Sequence, residues 1–379
     1  MRPLLLLLTR RPAIAALALA GALVATATLS RDASCAVGLL CTPPTPARAR
    51  LVADGAPQAL AETGLYAGAA LSTLAPDVEP YTPQYPLWSD GAAKRRWIRL
   101  PAGGVIDARD PDAWQLPVGT QLWKEFAFEG RRVETRYLER AADGWIFAAY
   151  AWSEDGREAV LVPESGRRGA FHGQDGLVHD IPSRQDCAAC HEGRAVPVLG
   201  FSALQLASRR DPLAPHAETP APGALTAESL SARGLLVPPS GTVEIAARSP
   251  RERAVLGYLH ANCGSCHSAR PPASSGSLQE LGLVLEWTSA STGPRPAAVS
   301  TTVDVLARFR PHGADAPLPR IAAGDPDRSV LLLRAASRFA ARQMPPLGTR
   351  RRDDAALALL TAWIREDLAA PAATHPSED

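Results

Sequence analysis

From Lys94 to Val162 apolar and polar residues alternate in short runs: Lys94–Leu100, Gln121–Phe128, Arg132–Arg140, Trp145–Trp152 and Arg157–Val162. Val133, Thr135 and Tyr137 fall on one face of such a run and Glu134, Arg136 and Leu138 on the other, the period of a β-strand. Glu129-Gly130, Asp143-Gly144 and Asp155-Gly156 separate the last four runs, at the spacing of an antiparallel meander. Residues 60–182 therefore predict a β-rich domain. Six of the eight tryptophans lie in it (Trp88, Trp97, Trp114, Trp123, Trp145 and Trp152), which packing of a small β core explains more simply than a ligand platform.

After residue 182 the apolar spacing becomes helical. Ser183 followed by Asp186 predicts a short helix over Cys187–His191. Residues 200–206 and 225–236 predict two short apolar helices around a Pro-rich loop. Ser249-Pro250-Arg251-Glu252 reads as a capping box with proline at the first helical position, so a helix runs into Cys263. Residues 268–320 read as a long insertion with a strand at Leu283–Trp287. Asp325-Pro326 then starts a helix carrying Val330–Leu333. A last helix, Asp353–Leu368, has Leu357, Leu360, Ile364 and Leu368 on one stripe. The fold class expected is α+β, an antiparallel β-rich N-terminal domain followed by α-helical domains over 183–248 and 249–370.

The ends of the chain change the picture of where it works. Three arginines in residues 2–11 precede an uncharged apolar run over 12–29, and Ala25-Thr26-Ala27 offers small residues for cleavage. Residues 1–27 thus predict a secretory signal peptide, with an uncleaved membrane anchor as the alternative. Residues 28–59 read as a Pro-rich linker whose Cys35 and Cys41 form a local disulfide in an oxidising compartment, and 371–379 as a polar tail. The composition, 46% apolar and 21% charged, is that of a globular protein. A net charge of +1 without a basic face excludes nucleic acid as a partner. Nearly all positive charge is arginine; the lysines are Lys94 and Lys124.

Two CxxCH motifs carry the chemistry, Cys187-Ala188-Ala189-Cys190-His191 and Cys263-Gly264-Ser265-Cys266-His267. Thiols three residues apart share one helical face, so both can form thioethers to one haem, and the next imidazole can bind its iron. Two covalently bound haems c are expected, held by Cys187, Cys190, Cys263 and Cys266, with His191 and His267 as iron ligands. A zinc knuckle would need further ligands close by. Met344 precedes Pro345, which favours an extended backbone able to present a thioether. The order helix, CxxCH, helix, Met loop, helix makes Met344 the expected distal ligand of the His267 haem. Met1 leaves with the signal, so no second methionine remains for the His191 haem. Its sixth ligand is expected to be a histidine, with His216 and His179 preferred over His172 and His260, or the position is open.

The segment Tyr81-Thr-Pro-Gln-Tyr-Pro-Leu-Trp-Ser-Asp-Gly-Ala-Ala-Lys-Arg-Arg-Trp97 resembles the signature of a family of secreted bacterial dihaem cytochromes c. The resemblance continues through Leu116–Thr120, Glu134–Arg136, Asp143–Trp145 and Ile181–Ser183, and resumes at Tyr258–His267, Gly324–Pro326 and Gln343–Gly348. It covers roughly residues 60–366, with one departure at Ser265, a position often held by histidine in that family. It implies cytochrome c-type haem domains, one-electron transfer and a redox partner protein, and says little about a substrate.

The expectation is an exported dihaem electron carrier of the periplasm or cell surface. It would touch a membrane only if its N-terminal segment is retained. The alternatives are a peroxidase- or oxidase-like enzyme with an open first haem, and a haem-bearing module that serves a periplasmic dehydrogenase.

Overall fold

The computed structural model describes residues 51–52, 55–68, 70–111, 113–192, 196–238, 243–268, 281–284 and 296–369. The expected signal peptide, Cys35, Cys41, the polar tail and most of the Leu283–Trp287 strand lie outside them. Among the described residues no helix is long and apolar enough to cross a membrane.

The β-rich region contains β1 (Leu51–Val52), β2 (Glu79–Pro80), β3 (Ala93–Arg99), β4 (Ile106–Asp107), β5 (Gln121–Phe128), β6 (Arg131–Arg140), β7 (Trp145–Trp152) and β8 (Ala159–Leu161). One seven-stranded sheet runs in the order β1-β7-β6-β5-β3-β2, with β8 also on β7. Its pairings are antiparallel except β1 with β7. The meander predicted from alternation is therefore present. Sequence patterning missed the hairpin β9 (Arg167–His172) and β10 (Val178–Ile181), because its residues are mostly polar or glycine.

Alternation gives the sheet two different faces. Trp97, Trp123 and Tyr137 stand in one cross-strand row, and with Tyr150 and Trp152 they pack under Leu60, Leu65, Tyr66, Leu71 and Val78. Trp123 donates from Nε1 to Thr63 Oγ1 at 3.0 Å and Trp152 to Thr135 Oγ1 at 2.9 Å, so these indoles serve the core. The opposite face begins with a second row, Ile98, Leu122, Leu138 and Phe147, that packs against Phe201, Leu206, Leu225, Leu230 and Leu236.

The helices are α1 (Arg184–His191), α2 (Ala227–Ala232), α3 (Pro250–Asn262), α4 (Ala297–Ser300), α5 (Val330–Ala335) and α6 (Asp354–Ala362), the last continued by a π-helical turn, Trp363–Asp367. A short parallel pair joins β11 (Leu236–Val237) to β4. Residues 200–206 form turns rather than the expected helix. Gln84 and Gln205 explain this: each donates its amide across to the other segment, to the carbonyls of Leu204 and Tyr85, at 3.1 Å. The helix expected over 225–236 shortens to α2, because Leu225 bridges Tyr81 and Leu236 pairs with Ile106. The helical and β-rich parts lie in one compact unit, Ala47–Asp379.

The helical core centres on α3. Val255, Leu256 and Leu259 pack with Leu332, Leu360, Trp363 and Ile364, so the helix entering the second motif lies against the last helix. Ser249 caps α3 through the N–H of Glu252 at 3.0 Å. The Glu252 carboxylate accepts from Trp363 Nε1 at 3.1 Å and pairs with Arg248, tying the start of α3 to the end of the chain's last helix.

Candidate functional site

The first motif occupies α1. Ser183 and Asp186 form a reciprocal capping box, which starts the helix so that Cys187, Cys190 and His191 fall in its later part. Cys187 packs against the apolar core that includes Leu122, Leu138 and Phe147, and the ring of His191 meets Phe147 edge-on at 5.0 Å. His191 Nδ1 lies 2.6 Å from the carbonyl oxygen of Pro197. A carbonyl only accepts, so Nδ1 carries the proton and the lone pair of the neutral ring is at Nε2. That orientation suits a metal-binding imidazole. Patterning could not find the Pro197 carbonyl, because the contact is made by a loop.

The second motif follows α3 directly. Cys263 is the C-cap residue, its N–H bonded to the Leu259 carbonyl at 2.9 Å, and the N–H groups of Cys266 and His267 turn back to the Cys263 carbonyl. Gly264 is required there, since a Cβ would sit 2.6 Å from the His260 carbonyl. His267 is buried enough that burial, aided by the charges of Arg334 and Arg320, pulls its pKa down to about 4. The imidazole is neutral at physiological pH, the form that binds a metal. Its Nδ1 is buried without a hydrogen-bond partner.

The two motifs touch. Cys266 Sγ lies 3.7 Å from the carbonyl oxygen of Ala189, and the thiols of Cys190 and Cys266 hydrogen-bond one another. All four motif cysteines are free thiols. Burial raises Cys187, and with the charge of Cys266 it raises Cys263 to about 12; the bond to Cys266 and burial raise Cys190. The thiols of Cys187, Cys190 and Cys263 are therefore protonated at neutral pH. Among the described residues no three His, Cys, Asp or Glu side chains are grouped to hold a metal ion by themselves.

Met344 lies half-buried in the loop between α5 and α6. Its N–H donates to the carbonyl of Arg334 at 3.0 Å, whose charge adds to the burial that depresses His267. The methionine backbone is thus anchored to a residue within electrostatic reach of His267.

The histidines favoured as sixth ligand of the first haem are otherwise engaged. His179 Nε2 lies 3.0 Å from Glu134 Oε2, and His216 Nε2 lies 2.6 Å from Asp353 Oδ1 while its ring stacks on Trp88 at 4.6 Å. Both carboxylates are buried, and these hydrogen bonds hold the rings in place.

Residues 85–90 are tied to α3 and to the loop before α6. Tyr85 fills the space over Gly257 of α3 and donates its hydroxyl to Asp211 at 2.9 Å. Asp90 accepts the N–H groups of Arg350 and Arg351 at 2.9 and 2.9 Å, and Trp88 Nε1 donates to the Arg351 carbonyl at 3.2 Å. No family model, curated protein or solved structure matches the chain.

Proposed function

We propose that this chain is an exported dihaem c-type cytochrome, with haems attached at Cys187/Cys190 and Cys263/Cys266, that passes single electrons between partner proteins. The approach of the two motifs carries the reading: Cys266 Sγ lies 3.7 Å from the carbonyl oxygen of Ala189 in the first motif. Such closeness suits electron passage between two centres and has no evident use in separate zinc knuckles. A haem bound at each motif would supply a one-electron iron couple and four ring nitrogens. The chain's own part is to orient His191 through Pro197, keep His267 neutral, and present Met344 on a loop. The resemblance of residues 60–366 to secreted dihaem cytochromes points the same way, as does the N-terminal signal-like segment. Intact-protein mass after expression with a haem-attachment system tests it. Two added haems are expected, and a mass with one or none overturns the reading.

A second reading is favoured by the engagement of His179 and His216 with Glu134 and Asp353. If neither these rings nor those of His172 and His260 reach the first iron, its sixth position is open, and the protein is an enzyme acting on peroxide or an organic substrate. A ferric spectrum decides between them: two low-spin haems fit the carrier, and a high-spin haem that binds cyanide fits the enzyme.

A further inference from the structure

Exposed apolar side chains gather on one part of the surface. Among the described residues nine large ones are exposed, and four of them, Leu306, Leu333, Phe339 and Leu347, fall in the stretch that leads to and from Met344. Phe339 is 65% exposed and is the one aromatic ring in that group. A cluster of this kind marks an interaction surface, whereas a single exposed leucine does not.

Arginines join the cluster together. The Arg334 guanidinium, on α5, lies over the Phe309 ring at 4.6 Å, and its Nε donates to the Arg342 carbonyl at 2.9 Å. The Arg342 guanidinium lies over the Phe339 ring at 5.7 Å. Arg338 donates to the carbonyls of Ala335 and Met344, at 2.7 and 3.5 Å. Since the Met344 N–H is bonded to the Arg334 carbonyl, rings and guanidinium groups make one surface around the Met344 loop.

The charge of that surface is one-sided. From Arg328 to Arg352 the chain has seven arginines and no acidic residue. Arg350, Arg351 and Arg352 pair with Asp180, Asp175 and Asp354. Arg334, Arg338 and Arg342 make no ion pair among the described residues; they meet carbonyls and rings. Arginine and aromatic residues are the types enriched in protein interfaces. Unpaired positive charge around an apolar patch fits an acidic partner, which it steers before contact.

We propose that Phe339, Arg334, Arg338 and Arg342 form the docking surface for an acidic one-electron redox protein, seated over the loop that carries Met344. The inference rests on the dihaem reading above, which puts a haem at the second motif.

The test uses the full chain with both haems attached and a plant-type ferredoxin as probe, an acidic protein with a two-iron cluster. Calorimetry reads its binding. Stopped-flow mixing reads the step in which the reduced cluster gives one electron to a ferric haem iron, which becomes ferrous with no bond made or broken. Binding and rate should both fall as salt rises. Arg342→Glu should lower both several-fold and flatten the salt dependence. Arg157→Glu makes the same charge change in the exposed turn between β7 and β8 and should leave both at the wild-type value. Phe339→Ser should weaken binding at every salt concentration and keep the wild-type salt dependence. Arg342 and Phe339 are exposed, so their variants should unfold at the wild-type temperature. Equal effects of Arg342→Glu and Arg157→Glu would overturn the proposal, as would wild-type binding in both Arg342→Glu and Phe339→Ser. Binding to anionic phospholipid vesicles but not to the ferredoxin would make this a membrane face and overturn it too. Calorimetric binding needs no haem, so a mass without two haems would refute the dihaem reading and leave the surface measurable.

Discussion

The backbone N–H of Trp88 donates to Oδ1 of Asn262 at 2.7 Å, and Asn262 immediately precedes Cys263. The same amide returns a bond from Nδ2 to the Pro86 carbonyl at 3.3 Å. A segment far away in sequence thus sets the end of the helix that delivers the second motif. Asn262→Ala leaves buried donors and acceptors unpaired, so unfolding free energy should fall by about 1–3 kcal/mol. Urea denaturation of the haem-loaded protein measures this, and a wild-type midpoint would refute the clamp.

Gly257 faces the Tyr85 ring so closely that even a methyl group there would overlap ring carbons. Gly257→Ala should therefore cost about 1–3 kcal/mol through overpacking, although alanine favours helix more than glycine does. Thermal unfolding of Gly257→Ala alone and with Tyr85→Leu provides the check. The double variant should recover part of the loss, because a smaller side chain makes room for the methyl group.

Met344→Ala should abolish the weak far-red band of ferric His/Met haem and lower one reduction potential, while leaving both haems attached. The backbone bond from residue 344 to the Arg334 carbonyl survives the substitution, so the fold should change by less than about 1 kcal/mol. Survival of the band would show that Met344 is a packing residue.

Acid should weaken the contact between β6 and β10, which Glu134 and His179 make. Burial alone would raise Glu134, but the charges and hydrogen bonds of Arg136 and His179 outweigh it and hold the carboxyl at about 2, against an ordinary 4.5. A depressed carboxyl contributes stability that is full above its unfolded value and is lost as pH falls through the folded one. The loss is therefore expected between about pH 4.5 and 2. Glu134→Gln should be less stable at neutral pH, since Arg136 is left unpaired, and show a flatter stability profile across that window. Equal slopes in urea titrations of the two proteins would count against the assignment.

Much of the secondary structure could be read directly from the chain. Gln121–Phe128 and Trp145–Trp152 are strands at the expected bounds, and Ser183 and Ser249 start helices where their capping patterns said they would. These features depend on neighbours within a few residues, and the CxxCH spacing is local in the same way. The partners of Cys190, Trp88 and His216 were not legible. Each is made by segments brought together from different parts of the chain, and no local period records such a meeting.

By itself, then, the sequence determined the strands and the two CxxCH motifs, because steric period, helical spacing and composition are properties of short stretches. Tertiary structure alone decided that Cys266 of the second motif meets Ala189 of the first, that the Trp88 segment meets Asn262 just before the second motif, and that both lysines turn to the inner face of the sheet. Those outcomes follow from burial: once the sheet's inner face is covered, every charge on it must find a partner within a few ångströms, whichever part of the chain supplies it.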